Sequence, residues 1–353
     1  MRKLRILSIG AGAIGTYIGG SLALAGHDVV FLERPETARN IREMSITREG
    51  VTHPISNPIF VSSIEDALAK GPFDAAIFAT KSFDTSAAMD GLAPFAIDLP
   101  PFVCLQNGVE NETVIAKVLG EDKVIPATVT TAIGKPGPGQ VIVERLRGVG
   151  ISNQHPLSVR LESAFTGAGL NPKLFDQPLA MKWSKLLTNL VANATSAILG
   201  ITPEAIFSNP ALFKVEIESL LETLRVMKSL GIPVVDLPGT PVRLLATSIR
   251  RLPLSVLRPL LKKAVVGGRG DKMPSFYIDM QAGRKQSEVT YLNGAVVRFG
   301  EGAGVSTPVN RFLTETLSSM AAGKIPRERY GGKPGQFLAD LKRQGSGAQA
   351  MRE

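Results

Sequence analysis

Leu4-Arg5-Ile6-Leu7-Ser8-Ile9-Gly10-Ala11-Gly12-Ala13-Ile14-Gly15 leads into an apolar run to Ala25, and after Gly26-His27 comes Asp28-Val29-Val30-Phe31-Leu32-Glu33-Arg34. Two readings compete for this stretch. Met1-Arg2-Lys3 followed by no charge from Ile6 to Gly26 has the outline of a signal or anchor segment. The glycines favour the other reading, a strand, turn, helix and second strand. Gly10 and Gly12 permit a tight turn and close backbone approach to a diphosphate, and Gly15 lets the helix pack on its strand. The helix start then presents free N–H groups to an anion. The expectation is a strand over 4–9, a helix over 14–25 and a strand over 28–32, with an acid where such units hold a ribose.

Working outward, a hairpin-like pair over 45–47 and 51–55 and a short helix near 64–69 precede a buried-type strand over 75–80 that ends in Lys81. A strand over 102–106 ends in Asn107-Gly108, another follows over 124–133, two short strands flank Arg147-Gly148, and a helix over 157–168 closes the region. Strands alternating with helices imply a mostly parallel sheet covered on both faces. The fold class expected is therefore α/β, with a Rossmann-type dinucleotide-binding domain over 1–177. Ligands of such sheets sit beyond the carboxyl ends of the strands, where Arg34, Lys81 and Asn107 all fall. Glu33 suits the ribose hydroxyl of NAD, whereas Arg34 with Lys81 suits the 2′-phosphate of NADP. NADPH is the expected cofactor ahead of NADH, held by Gly10, Gly12, Ala13, Ile14, Gly15, Arg34, Lys81 and Asn107.

From 178 to 323 the pattern is helical throughout, with helices expected over 179–199, 210–229, 273–281, 288–299 and 308–320. Lys185, Asn189 and Asn193 recur at every fourth position of the first. At about 100° per residue they lie within about 80° of one another, a polar stripe on an apolar rod. Such a stripe either faces water or lines a ligand cavity, since asparagine is a poor helix former and costly to bury unpaired. Ser275, Glu288 and Asn293 are further polar residues among apolar ones. Ser275 also reads as an ordinary first-turn residue, and Glu288 as an ordinary helix-start acid.

Gly10-Ala-Gly-Ala-Ile-Gly15, Lys81, Gln106-Asn107-Gly108, Trp183-Ser184-Lys185-Leu-Leu-Thr-Asn189 with Asn193, Ser275 with Asp279, and Glu288-Val-Thr-Tyr-Leu-Asn293-Gly294 together resemble the ketopantoate reductase (2-dehydropantoate 2-reductase) family. The resemblance runs from Leu4 to about Met320 with its motifs in order. It implies NADPH-dependent reduction of a 2-oxo acid to a 2-hydroxy acid, ketopantoate to pantoate in pantothenate and coenzyme A biosynthesis. It also implies residue roles. Lys185 is the general acid to the ketone oxygen, Glu288 stands near the substrate hydroxyl and the lysine, and Asn107, Asn189, Asn193 and Ser275 hold the substrate. Hydride arriving at a carbonyl carbon builds charge on oxygen, which a positioned ammonium stabilises and then protonates. Three departures bear on the substrate: one extra residue between Asp279 and Glu288, Ala194 in place of a proline, and a longer link from Gly231 to Ser275. A reductase of a bulkier 2-oxo acid or ketone is the nearest alternative. A non-catalytic NADP-binding sensor is a more distant one, for which Lys185 and Glu288 together would be unnecessary.

Composition narrows the remaining classes. Of 353 residues 44% are hydrophobic and 20% charged, a chain able to bury sizeable cores. One cysteine, Cys104, excludes an internal disulfide framework, and with three histidines a His/Cys metal site is not expected. A cytoplasmic enzyme is the expectation. The formal charge of +9 is concentrated: 225–272 hold ten basic residues against two acidic, and 324–353 hold seven against three. The excess of positive charge thus falls mainly in an insertion at about 234–272 and a Gly-rich tail over 324–353 that is expected to be flexible. That distribution speaks against nucleic-acid binding and makes a membrane-surface role a minor alternative to short helices with solvated faces. A homodimer is left open.

Overall fold

The opening unit forms as read. In the computed structural model, which describes residues 2–41, 43–269 and 272–350, β1 (Arg5–Ile9) enters α1 (Ala13–Leu24) and returns as β2 (Asp28–Leu32), parallel to β1 with Arg5 opposite Asp28. Asp271 of the basic segment and the last three tail residues lie outside the described residues.

The first unit, Met1–Lys185 with Asp236–Thr240, is built on an eight-stranded sheet. Its remaining elements are α2 (Pro35–Asn40), β3 (Ser45–Arg48), β4 (Val51–Pro54), β5 (Ile59–Val61), α3 (Ile64–Leu68), β6 (Ala75–Phe78), α4 (Thr85–Leu92), β7 (Phe102–Cys104), α5 (Asn111–Leu119), β8 (Val124–Val129), β9 (Ala132–Gly137), β10 (Gln140–Arg145), β11 (Val149–Ser152), α6 (Ser158–Gly167), β12 (Pro172–Phe175) and α7 (Pro178–Leu190), which runs on into the second unit. The large sheet has the order β12-β11-β8-β7-β6-β1-β2-β5, and only the β8–β11 pairing is antiparallel. Alternate strand residues feed two cores, as the two-residue period of a strand requires. Ile6, Ile77 and Val103 pack with Tyr17 and Phe165 on one face, whereas Leu7, Phe78 and Phe102 pack with Met89 and Ile115 on the other.

A second sheet, β4-β3-β10-β9, is absent from the sequence reading. The strand expected over 124–133 divides after Val129, so that β8 stays in the large sheet and β9 pairs antiparallel with β10 in the small one. The Thr131 hydroxyl marks the break, accepting from the Arg147 and Gly148 N–H groups at 3.2 and 3.0 Å.

The second unit, Leu186–Val235 with Pro241–Glu353, is helical among its described residues. After the end of α7 come α8 (Asn193–Leu199), α9 (Pro203–Ser208), α10 (Pro210–Ser229), α11 (Val242–Arg251), α12 (Leu254–Arg269), α13 (Ser275–Gln281), α14 (Asn293–Gly302), α15 (Pro308–Ala321) and α16 (Pro334–Ala350). The division between units falls inside α7, eight residues beyond the boundary expected at 177.

Three expectations change here. The single helix over 179–199 is interrupted at Ala192, which has φ +53°. The cause is non-local: buried Glu216 of α10 takes the Ala192 N–H on Oε2 at 2.7 Å, so that N–H is not spent on the helical ladder. The helix expected over 288–299 is a 3₁₀ turn, Glu288–Thr290, followed by α14 starting at Asn293. The tail read as flexible is a helix, α16, because Phe337 is fully buried and Asp340 binds the hydroxyl of Tyr330 at 2.9 Å. Among the described residues no helix is long and apolar enough to cross a membrane.

Candidate functional site

In the first unit, β2, β1, β6 and β7 lie side by side and parallel, so the residues that follow them share one edge of the sheet. These are Arg34 after β2, the Gly10–Gly15 turn after β1, Lys81 after β6 and Asn107 after β7. The four features that the sequence placed at strand ends are thereby brought to the carboxyl ends of four adjacent parallel strands, the end at which sheets of this kind bind ligands.

The turn has the geometry a dinucleotide requires. Gly10 has φ +93°, a backbone conformation that favours glycine. A Cβ on Gly15 would lie 1.9 Å from the Gly10 carbonyl oxygen, so only glycine lets the helix start this close to the strand. Gly12 differs from both: a Cβ there would meet nothing within 4 Å. It is the N-cap of α1, a helix start with no side-chain cap and no acid in its first turn, so the space beside Gly12 adjoins N–H groups that no side chain caps. That cradle fits a diphosphate.

Glu33 is engaged at the turn itself. Its Oε2 accepts the Ala11 N–H at 2.6 Å and its Oε1 accepts the Arg34 N–H at 3.0 Å. The carboxylate therefore steadies the glycine turn, while the Arg34 side chain is exposed beyond it.

Asn107 is positioned by a dense set of bonds from three segments. Its carbonyl oxygen accepts from Ser82 Oγ and from Asn111 Nδ2, both at 2.7 Å. The preceding Gln106 is buried, and its Nε2 donates to Thr80 O at 3.1 Å and to Thr85 Oγ1 at 2.8 Å, joining the ends of β6 and β7. Behind it stands Lys182 of α7, 3% exposed, with Nζ 2.7 Å from Gln106 O, 3.2 Å from Ala127 O and 2.7 Å from Glu112 Oε1. Burial alone would push this ammonium down, but the Glu112 carboxylate beside it holds it above the ordinary lysine range.

Sequence reasoning passed over Lys182 and Glu112. The available signal was a lysine one helical turn before Lys185 in an apolar stretch. From Ala180 to Leu190 of α7, only Lys185, Thr188 and Asn189 are partly exposed. The part of the expected stripe on α7 is thus the open face of this stretch.

In the second unit the break at Ala192 gives Asn193 a different place from the one expected. It opens α8 and is buried, with Oδ1 accepting the Phe276 N–H at 3.1 Å and Nδ2 donating to Ser275 Oγ at 3.4 Å and to Asn189 O at 3.2 Å. Asn189, Asn193 and Ser275 are therefore brought together, with Asn193 as the tie between α8 and α13. Glu288 is 4% exposed in its own turn, and Asn293 is fully buried with Nδ2 on Asn310 Oδ1 at 2.9 Å. Asn310 in turn donates to Glu222, whose carboxylate accepts the Val309 and Asn310 N–H groups at 2.8 and 2.9 Å and so caps α15. Burial pushes the Glu222 carboxyl up to about 7, against those hydrogen bonds.

Comparison with known proteins accords with this architecture. Residues 6–153 match the family described as ketopantoate reductase PanE/ApbA, and residues 179–321 match ketopantoate reductase PanE/ApbA C terminal. A 2-dehydropantoate 2-reductase of Pyrococcus horikoshii is 26% identical over 315 residues, 88% of this chain and 95% of that protein. Among solved structures, a PanE/ApbA family ketopantoate reductase from Ralstonia eutropha JMP134 superposes with a TM-score of 0.74 at 25% identity, covering 90% of this chain and 99% of the other. A D-mandelate dehydrogenase solved with NADH and anilino(oxo)acetate shares the fold, with a TM-score of 0.70 at 19% identity and coverage of 90% and 99%. With both halves matched in order along most of its length, the chain belongs to the ketopantoate reductase family.

Proposed function

We propose that this protein reduces a 2-oxo acid to the corresponding 2-hydroxy acid with NADPH, and that its substrate is ketopantoate. The observation that carries the reading is the open, uncapped turn at Gly12 on the same sheet edge as Arg34, Lys81 and Asn107, in a chain whose two halves match one reductase family. The reduced nicotinamide supplies hydride when bound.

The chain's own residues do the rest. The backbone N–H groups at Ala13, Ile14 and Gly15 hold the diphosphate, with Gly10 and Gly12 shaping the approach. Arg34 and Lys81 bind the 2′-phosphate, a preference for NADPH that is supported by Glu33 being tied to the Ala11 and Arg34 N–H groups. Lys185 holds its proton toward the ketone oxygen, stabilises the charge that develops there and delivers the proton as the alcohol forms. Asn107, Asn189, Asn193 and Ser275 orient the substrate's polar groups, and Glu288 acts on the substrate hydroxyl.

A bulkier 2-oxo acid is the second reading, favoured by the two helices α11 and α12 that occupy the long link before Ser275. The test is NADPH oxidation with ketopantoate and with a panel of larger 2-oxo acids. Fastest turnover, judged by kcat/KM, with ketopantoate supports the first reading. A larger acid preferred by tenfold or more, in line with the selectivity a reshaped pocket provides, replaces it with the second.

A further inference from the structure

The family match ends at residue 321, yet the chain continues as ordered structure that ties together the helices bearing Asn193 and Ser275. At their first residues α8 and α13 are joined by Asn193 itself, through the Phe276 N–H and the Ser275 hydroxyl. At their last residues they are held by the extension. The Gly332 N–H donates to the carbonyl oxygen of Leu199, the final residue of α8, at 2.8 Å. The Arg327 guanidinium donates to Met280 O and, at 3.0 Å, to Gln281 Oε1, at the end of α13. A cation there also meets the negative end of the helix dipole.

The extension is itself anchored. Phe337 of α16 is fully buried, with its ring centroid 5.3 Å from that of Phe312 on α15. Asp340 accepts the Tyr330 hydroxyl at 2.9 Å and Arg329 Nη2 at 2.8 Å, which pins α16 to the turn that carries Arg327. Two short helices fixed to each other at both ends resist rotation and sliding, and any such slip would move Ser275 against Asn193.

We propose that residues 322–350 form a brace that sets the Asn193–Ser275 geometry, with Arg327 as a positioning residue for binding of the oxo acid. This rests on the reading that Asn193 and Ser275 hold substrate. The cofactor edge lies in the other unit, so the brace acts on the KM for the oxo acid and leaves the KM for NADPH alone.

The test compares full-length protein with Arg327→Ala, Arg327→Lys and a chain ending at Ala322, by steady-state kinetics and by hydrogen exchange over α8 and α13. Arg327→Ala is expected to raise the ketopantoate KM about tenfold with NADPH KM unchanged, the loss that weakening about one hydrogen bond to the substrate produces. Exchange over α13 should quicken, and Arg327→Lys should restore much of both. Unchanged exchange in Arg327→Ala and in the shortened chain overturns the brace, and so does faster exchange with no change in the oxo acid KM. If the wild-type protein turns over no 2-oxo acid, the functional reading fails, and the exchange measurement alone then decides whether the brace exists.

Discussion

The Lys182 ammonium donates to the main-chain oxygen of Gln106 across 2.7 Å, from the interior of the first unit. Gln106 immediately precedes Asn107, so a charge buried in α7 fixes the turn that presents a proposed ligand-binding residue. Lys182→Met leaves the Glu112 carboxylate without its cation, a change expected to cost about 3–5 kcal/mol. Urea unfolding should show the loss, and Lys182→Met combined with Glu112→Leu should recover part of it. A midpoint unchanged in the single variant would mean that the pair contributes nothing.

The contrast between two glycines gives a sharper test of the cofactor cradle. Gly12 has open space and a φ of −69° that any residue accepts, so Gly12→Val should fold with an unchanged Tm and yet lose NADPH binding by about 100-fold or more, since its side chain fills the diphosphate space. Gly15→Ala places a carbon against the Gly10 carbonyl and should lower the Tm as well. Fluorescence titration with NADPH alongside thermal unfolding separates the two. Normal NADPH affinity in Gly12→Val would place the cofactor elsewhere.

Arg34→Ala should raise the KM for NADPH about tenfold or more while leaving NADH nearly unaffected, because only the former carries the phosphate that a guanidinium pairs with. Steady-state kinetics with both nucleotides measures this. Equal effects on the two, or a wild-type preference for NADH, would show that Glu33 sets the choice.

Glu222 predicts a pH dependence. Burial raises its folded-state value to about 7 from an ordinary 4.5, so the folded protein takes up this proton more readily than the unfolded chain. Stability from this group is therefore fullest below about pH 4.5 and is lost as pH rises toward 7, by up to about 3 kcal/mol. Thermal unfolding of Glu222→Gln, compared with wild type from pH 5 to pH 8, should lack that decline. Parallel profiles would assign the slope to other groups.

What was legible in the sequence was local. The Gly10–Gly15 turn, its two strands and Arg34 depend on neighbours within one short stretch, and they form where expected. The long helix over 179–199 was misread because its interruption is imposed by Glu216 from α10, a partner that periodicity does not reveal. The small sheet escaped notice for the same reason, since β3 pairs with β10 across a wide sequence gap. In the tail, glycines masked the aromatic pair Tyr330 and Phe337, whose burial orders α16. Lys182 was overlooked because a lysine in a helix ordinarily reaches water, and only the fold shows three acceptors around it.

The most direct measurement is NADPH oxidation by the wild-type protein and by Lys185→Ala with saturating ketopantoate. Turnover in the wild type and a loss in kcat of about 100-fold or more in the variant, with NADPH affinity unchanged, is expected if Lys185 is the acid. Wild-type protein that binds NADPH but reduces no 2-oxo acid, or a Lys185→Ala variant with normal kcat, would contradict it.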